Sequence, residues 1–243
     1  MSRFSRIERV AVTGSTNEDI AGVLGDERAR GLTLVADYQE RGSGRKGRSW
    51  IASPGSALLC TIALPDALPA ADLWIVPFWT ALVVASGMRD FGIEPIVQWP
   101  NDLLIADRKV AGILCVSRVI GEYAWVGCGI GLNVMRPSND ELEKIVPPPA
   151  FVSDVARVER DELLNAILSH ADATYDELET PAKVMYAWER AARIPGARYR
   201  ILRDGETEPF DATALRLVTG GSLLVDRAGE EIEINLADAR VLR

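Results

Sequence analysis

A chain of 243 residues is long enough for one sizeable domain, or for one domain with a small appendage. Its hydrophobic content of 48% can fill a core, which excludes global disorder, and a formal net charge of −8 argues against a general nucleic-acid or membrane-surface binder. The opening residues, MSRFSRIERVAVTG, contain no apolar segment of the kind a secretory signal needs, so no signal peptide and a cytoplasmic location are expected.

Residues 7–12 read as a strand, and Ser15 or Thr16 is a good N-cap for a helix running to about Leu24. Residues 32–38 and 57–64 read as strands flanking a loop. In that loop Gly42, Gly44 and Gly47 are interspersed with Arg45, Lys46 and Arg48, and Trp50 closes the run. Glycine lets a backbone approach a ligand closely. Cations and turned amides together bind phosphate, and an aromatic face beside them can stack on a nucleobase. Taken alone, the segment is equally a lid over a phosphorylated ligand or a solvated basic turn. The longest apolar stretch, Leu73 to Met88, contains Pro77 and is short for a membrane span. It reads as a helix buried against a sheet, starting near Pro77.

Strands are predicted near 94–99, 103–106, 110–117 and 122–128. Val146 to Pro149 form a proline-rich connector. Leu164, Ile167, Leu168, Ala171, Tyr175 and Leu178 recur at helical spacing over 161–178, a stripe most simply read as core packing, and a further helix spans about 181–192. The pattern changes after Ile194-Pro195-Gly196. Short alternating runs are punctuated by Asp204-Gly205, Gly220-Gly221 and Ala228-Gly229, which predicts a small β appendage over 195–243. The expected fold class is α+β.

Cys60, Cys115 and Cys128 all lie in strand-like apolar runs. An odd count without CxxC spacing argues against disulfides or a zinc site and for buried reduced thiols. The single histidine, His170, has no clustered partner, so it is expected at a surface or boundary. A Ser-His-Asp triad and a multi-histidine metal site are excluded.

Four further segments make unusual residue choices. Ser15-Thr16-Asn17 places three small polar side chains after a glycine. Gln98-Trp99-Pro100-Asn101-Asp102 presents an amide and a carboxylate beside a fixed backbone. Arg108-Lys109-Val110-Ala111-Gly112-Ile113 leads two cations into a strand. In Gly127-Cys128-Gly129-Ile130-Gly131-Leu132-Asn133, alternate glycines strip one strand face, so that a flat ligand can lie against the backbone. Each also has an ordinary reading as cap, turn, charged strand end or bulge.

Together and in this order, STN, GxGRxGRxW, WPND, RKxAGI and GIGLNV resemble the biotin protein ligases over roughly residues 7–190. The resemblance implies a class II synthetase-like mixed-sheet catalytic domain at 1–194 and a small SH3-like β-barrel at 195–243. It implies activation of biotin by ATP, with Mg²⁺ on the triphosphate, to biotinyl-5′-AMP. The biotinyl group then passes to a lysine of a biotin carboxyl carrier protein domain. By this resemblance Ser15, Thr16, Asn17 and Gln39 hold the ureido ring. Ser43, Gly44, Gly112, Gly129 and Gly131 line the biotin pocket. Arg45 and Lys109 act on the carboxylate and α-phosphate, and Arg48, Trp50, Asn101 and Asn133 contact the adenylate. Asp102 is either a group that orients the incoming amine and helps remove its proton or a structural turn carboxylate. No protein-held metal, nucleic acid or membrane partner is implied, and a homodimer is compatible with it.

Three positions depart from that pattern. Ser43 stands where arginine is usual, Gln98 where lysine is usual, and Val116 where an acidic residue commonly stands. The first two remove charge near the phosphates. The STN motif begins fourteen residues from the start, which leaves no room for a preceding helix-turn-helix and predicts no repressor role. Two rivals stay open. One is a lipoate or octanoate ligase on the same core, and the other is a non-catalytic biotin- or adenylate-binding module. Residues 41–48 hold four cations, three glycines and no large apolar side chain. Nothing in the loop itself offsets the entropy of ordering it, so it is predicted to be mobile when empty and to close over the adenylate.

Overall fold

The computed structural model describes residues 2–137, 145–236 and 239–242; residues 237, 238 and 243 of the C-terminal appendage lie outside it. The chain opens with β1 (Arg6–Thr13), α1 (Thr16–Ala21), β2 (Leu32–Gln39), β3 (Ala57–Ala63) and the short β4 (Leu68–Pro69). A 3₁₀ segment at Ala70–Ile75 leads into α2 (Val76–Arg89), whose second residue is Pro77. Four strands follow: β5 (Ile96–Gln98), β6 (Asp102–Ile105), β7 (Arg108–Ile120) and β8 (Tyr123–Asn133). Then come α3 (Arg160–Thr174) and α4 (Pro181–Ala191). The last strands are β9 (Arg198–Arg203), β10 (Phe210–Leu217), β11 (Leu223–Arg227), β12 (Glu230–Ile234) and β13 (Ala239–Leu242).

The first sheet runs β1-β2-β3-β8-β7-β6-β5, with β4 added beside β8. Only β1 and β2 pair in parallel, so the sheet is mixed. The second sheet, β12-β11-β10-β9-β13, is antiparallel throughout. This is a mixed α/β fold with two sheets.

Burial follows the apolar runs. Every residue of β3 is buried, whereas β1, at the sheet edge, exposes most of its side chains. One sheet face packs under α2, α3 and α4 around Phe78, Trp79, Met88, Leu164 and Trp188. The other face is covered by α1 through Ile20, Leu24, Leu32 and Leu34. The stripe expected on 161–178 is buried in full. The two sheets meet at Trp99, which is fully buried. Its indole donates to the Gly221 carbonyl at 2.9 Å and its backbone N–H to the Tyr199 hydroxyl at 3.2 Å. Burial pushes the Tyr199 phenol up to about 12, so it stays protonated.

Four elements differ from expectation. The first helix ends at Ala21 rather than Leu24, because turns take over through Gly22 and Gly25, the latter at φ 96°. The strands predicted to end at 117 and 128 extend to Ile120 and Asn133, so the glycine-rich segment is wholly strand. α3 stops at Thr174 and tightens into a 3₁₀ turn over Tyr175–Glu179. There the Trp79 indole donates to the Thr174 carbonyl at 3.2 Å and the Thr174 hydroxyl back-bonds to His170 O at 2.8 Å, which diverts the helical ladder. His170 lies at the boundary against Asp90, 2.9 Å away.

Helices α2 and α3 cross at Gly87. A Cβ there would lie 2.8 Å from Ile167 Cγ1 and 2.9 Å from the Ile167 nitrogen, which belongs to backbone and cannot yield cheaply. Alanine is favoured over glycine in a helix by about 1 kcal/mol, but overpacking costs about 1–3 kcal/mol. Gly87→Ala is therefore expected to lower the urea midpoint at unchanged slope. A raised midpoint would show that propensity outweighs the close helix approach.

Candidate functional site

The turn from β1 into α1 delivers Ser15, Thr16 and Asn17 to the α1 face of the sheet, all three buried. Ser15 occupies the cap position in extended backbone, yet it makes no side-chain cap bond. The Thr16 N–H and hydroxyl instead both donate to Gln39 Oε1, at 2.7 and 2.9 Å. A backbone N–H can only donate, so the Gln39 oxygen must face Thr16. By the same reasoning the Asn17 amide nitrogen faces the Leu114 carbonyl, 2.9 Å away, and its oxygen faces inward.

Between them sits Thr61 of β3, fully buried, its hydroxyl 2.8 Å from both Thr16 Oγ1 and Asn17 Oδ1. One hydroxyl has one proton. Gln39 Oε1 already accepts the Thr16 N–H, so the hydroxyl protons can relay from Thr16 to Thr61 and from Thr61 to Asn17 Oδ1. The cluster is rich in acceptor oxygens whose remaining lone pairs can meet an N–H from a guest. Thr61 was not singled out from the sequence, where it is one polar letter inside the apolar run ALLCTIA.

The glycine strip is real, and side chains of the chain itself lie close against it. On β8, Gly129 and Gly131 face the same side as Thr61, with Gly129 opposite Thr61 and Gly131 opposite Gly112 of β7. A Cβ at Gly129 would overlap the Asn17 amide. One at Gly131 would lie 2.5 Å from Trp50 Cε2, and one at Gly112 3.0 Å from Trp50 Cζ3. The space is taken by the chain's own Asn17 and Trp50. The Trp50 indole nitrogen has no hydrogen-bond partner among the described residues.

The charged groups gather at the mouth. Lys109 Nζ lies 2.6 Å from Asp102 Oδ1 and 5.2 Å from the Trp50 ring centre. The Arg45 guanidinium donates to the Leu236 carbonyl. Burial holds Arg45 below its ordinary pKa, the Asp102 charge opposing and the Arg48 charge reinforcing that shift. Lys46 pairs with Asp204 at 2.6 Å. The loop backbone closes through Gly44 N–H to Arg48 O at 2.6 Å and Trp50 N–H to Gly42 O at 2.7 Å. Within the loop's own sequence nothing offsets its ordering; the structure adds these contacts, and hydrogen exchange at the loop amides measures whether the empty loop is mobile.

These groups surround a cavity of about 290 Å³. Ser15, Thr16, Asn17, Gln39, Ser43, Gly44, Arg45, Arg48, Trp50, Asn101, Lys109, Gly112, Gly129, Gly131 and Asn133 all line it, as the sequence analysis anticipates for one site. Asn101 and Asn133 spend their amide nitrogens on Ile113 O (2.6 Å) and Ala150 O (3.1 Å), so each also fixes backbone. Asp102 lies outside the cavity, in an adjoining recess with Arg45, Lys46 and Arg48. Ile51, Leu114, Ile145 and Val146 complete an apolar wall that sequence reasoning missed. Val146, read as connector, is 89% exposed at the cavity, an apolar side chain left in solvent. Val116 packs against the α1 cluster, which explains an apolar residue there.

The cysteines carry no chemistry. All three cysteines are free; burial pushes Cys60 up to about 12, and the hydrogen bond to the Cys128 thiol together with burial raises Cys115 well above a free thiol, which disfavours the thiolate at both. No cluster of three His, Cys, Asp or Glu side chains that could hold a metal exists among the described residues.

The model of the Biotin/lipoate A/B protein ligase family matches residues 11–133, just over half of the chain and the segment that builds this cavity. The chain belongs to that family. Among its relatives within the family, the biotin–[acetyl-CoA-carboxylase] ligase of Paracoccus denitrificans is 33% identical over 198 residues, 76% of this chain and 80% of that one. The Mycobacterium tuberculosis protein of the same name is 26% identical over 255 aligned positions, covering 100% of this chain and 91% of its own. The biotin protein ligase of Aquifex aeolicus, solved with biotin and ATP, superposes with a TM-score of 0.78 at 21% identity, covering 99% of this chain and 100% of that one. That likeness establishes the family fold.

Thr61→Val keeps the shape of the residue and removes the hydroxyl that joins its neighbours. It is expected to cost about 1–3 kcal/mol in urea unfolding, while Thr61→Ser loses less. Wild-type stability in Thr61→Val would mean that the cluster does not depend on that hydroxyl.

Proposed function

We propose that this family member is a biotin–[biotin carboxyl-carrier protein] ligase. The observation that carries the reading is a single cavity lined both by the acceptor oxygens of Thr16, Asn17 and Gln39 and by the cations Arg45, Arg48 and Lys109. The ureido ring of biotin supplies two N–H donors to such oxygens. A dithiolane or a plain acyl chain supplies none and forgoes those hydrogen bonds. The names of the relatives point to the same substrate and to a carboxylase carrier as acceptor.

In the first step a biotin carboxylate oxygen attacks the α-phosphorus of ATP. The bond to the β-phosphate breaks and pyrophosphate leaves. Two anions must meet, so the site must concentrate positive charge before reaction. Lys109, backed by Trp50 and Asp102, is placed to bridge the carboxylate and α-phosphate, with Arg45 and Arg48 on the phosphates. ATP carries its Mg²⁺, a hard cation that keeps phosphate and water ligands. Among the described residues Asp102 is engaged with Lys109, and the groups this reading places on the phosphates are the cations Arg45, Arg48 and Lys109. In the second step a carrier lysine amine attacks the biotinyl carbonyl. AMP departs and the amine loses a proton, which Asp102 is positioned to receive or orient once Lys109 turns to the phosphate. The catalytic unit of this reading is the class II synthetase-like part at 1–194, and the five-stranded part at 195–243 is an SH3-like accessory.

Lys109→Ala is expected to fold normally and to lose about 10²–10³-fold of biotin-dependent ATP–pyrophosphate exchange, the cost of deleting one preorganised charge donor. Near-wild-type exchange in that variant removes Lys109 from the mechanism. No exchange by the wild-type protein with biotin, or exchange with lipoate instead, rejects the assignment.

A further inference from the structure

The glycine loop is gripped from outside the catalytic sheet by a residue that no function described above requires. Asp204 sits in the turn after β9, on the second sheet, and its carboxylate lies 2.6 Å from Lys46 Nζ. Lys46 adopts left-handed backbone (φ 56°, ψ 39°), which a side-chain-bearing residue rarely occupies without surroundings that hold it there. The next residue back, Arg45, reaches the Leu236 carbonyl, just beyond β12 of the same sheet, and also lines the cavity. Arg45, Lys46 and Arg48 share a recess with Asp102 and with Val241 of β13. Two successive side chains are thus split between the cavity and the second sheet, and the conformation of Lys46 sets that split.

We infer that Asp204 is a positioning residue. Through Lys46 it holds the loop against the second sheet and so aims Arg45 and Arg48 at the phosphates of the nucleotide. The inference rests on the ligase reading for its substrate, but the clamp itself exists without ligand. The pair is partly exposed, with side chains 25% and 50% accessible, so its contribution is that of a screened surface ion pair, a factor of about 3–5 at most. The effect belongs on ATP rather than on biotin, because the polar cluster that faces the ureido ring lies on α1, β2 and β3.

The experiment has two arms. In the first, biotin-dependent ATP–pyrophosphate exchange is measured for wild type, Asp204→Asn, Asp204→Glu, Lys46→Gln and the Asp204→Asn/Lys46→Gln double variant. Asp204→Asn should raise the KM for ATP about 3–5-fold with the KM for biotin unchanged. Asp204→Glu should restore it, and the double variant should be no worse than Lys46→Gln alone. An unchanged or lowered KM for ATP in Asp204→Asn overturns the inference, a lowered value marking Asp204 as a counter-ion that phosphate displaces. Equal rises for ATP and biotin overturn it as well. In the second arm, hydrogen exchange at the Gly44, Arg48 and Trp50 amides is followed in the ligand-free protein. Exchange should be about 3–5-fold faster in Asp204→Asn than in wild type, and identical rates overturn the clamp. If the wild-type enzyme shows no exchange chemistry with biotin, the ligase reading fails while the second arm still decides whether the clamp exists.

Discussion

Three alternate side chains, at Gly127, Gly129 and Gly131, are missing from one face of β8, and the site is arranged around the gap at the last two. Gly129 lets the Asn17 amide lie on the sheet, and Gly131 with Gly112 admits the Trp50 indole. Asn17 brings the start of α1 down onto Thr61. Trp50 pins the C-terminal end of the glycine loop. A methyl group at either position would collide with atoms at 3 Å or less, and one of the neighbours, the Leu114 carbonyl, is backbone. The glycines therefore act through the sheet face they leave bare, and their backbone freedom is secondary: φ is not positive at any of the three.

The cations above this floor are each held by something. Lys109 has Asp102, Lys46 has Asp204, and Arg45 has the Leu236 carbonyl in the turn after β12. Like charges crowded into a partly desolvated recess repel, and the lowered pKa of Arg45 records that burial and the nearby Arg48. Anchoring them before a ligand arrives means that less ordering remains to be done when a polyanion binds, which is the general advantage of preorganisation. An overall charge of −8 makes the local cluster the more conspicuous in the chain's field.

Much of this was legible in the letters. Periodicity located α2, α3 and α4 within a few residues, and the apolar runs located β2 and β3. The motif residues do converge on one cavity. What the letters hid has physical causes. The α3 end was lost because a tryptophan from α2 captures a carbonyl, a tertiary event with no local signal. Thr61 was invisible because a single hydroxyl in a buried strand reads like any other β-branched residue until its two partners are known. The glycine strip was recognised as bare, but its occupants come from α1 and the loop, far away in sequence. The tie from Lys46 to Asp204 spans 158 positions, and nothing in either segment announces the other.

Substrate choice then follows from an inequality between the two ends of the cavity. One side of the cavity presents the acceptor oxygens of Thr16, Asn17 and Gln39, and the other presents the cations Arg45, Arg48 and Lys109. A guest that satisfies only the oxygens gains a modest neutral hydrogen bond. A guest that satisfies only the cations is held by charge that solvent partly screens. One molecule bearing N–H donors at one end and a carboxylate at the other satisfies both at once, with the apolar wall of Ile51, Leu114 and Val146 between them. Leaving a buried acceptor unpaired costs more than a hydrogen bond gains, because the desolvation penalty has no return. On the proposed ligase reading, discrimination against a chain with the same carboxylate but no N–H groups is expected at the Thr16–Thr61–Asn17 cluster, and the chemistry at the cations can stay common to both kinds of acid.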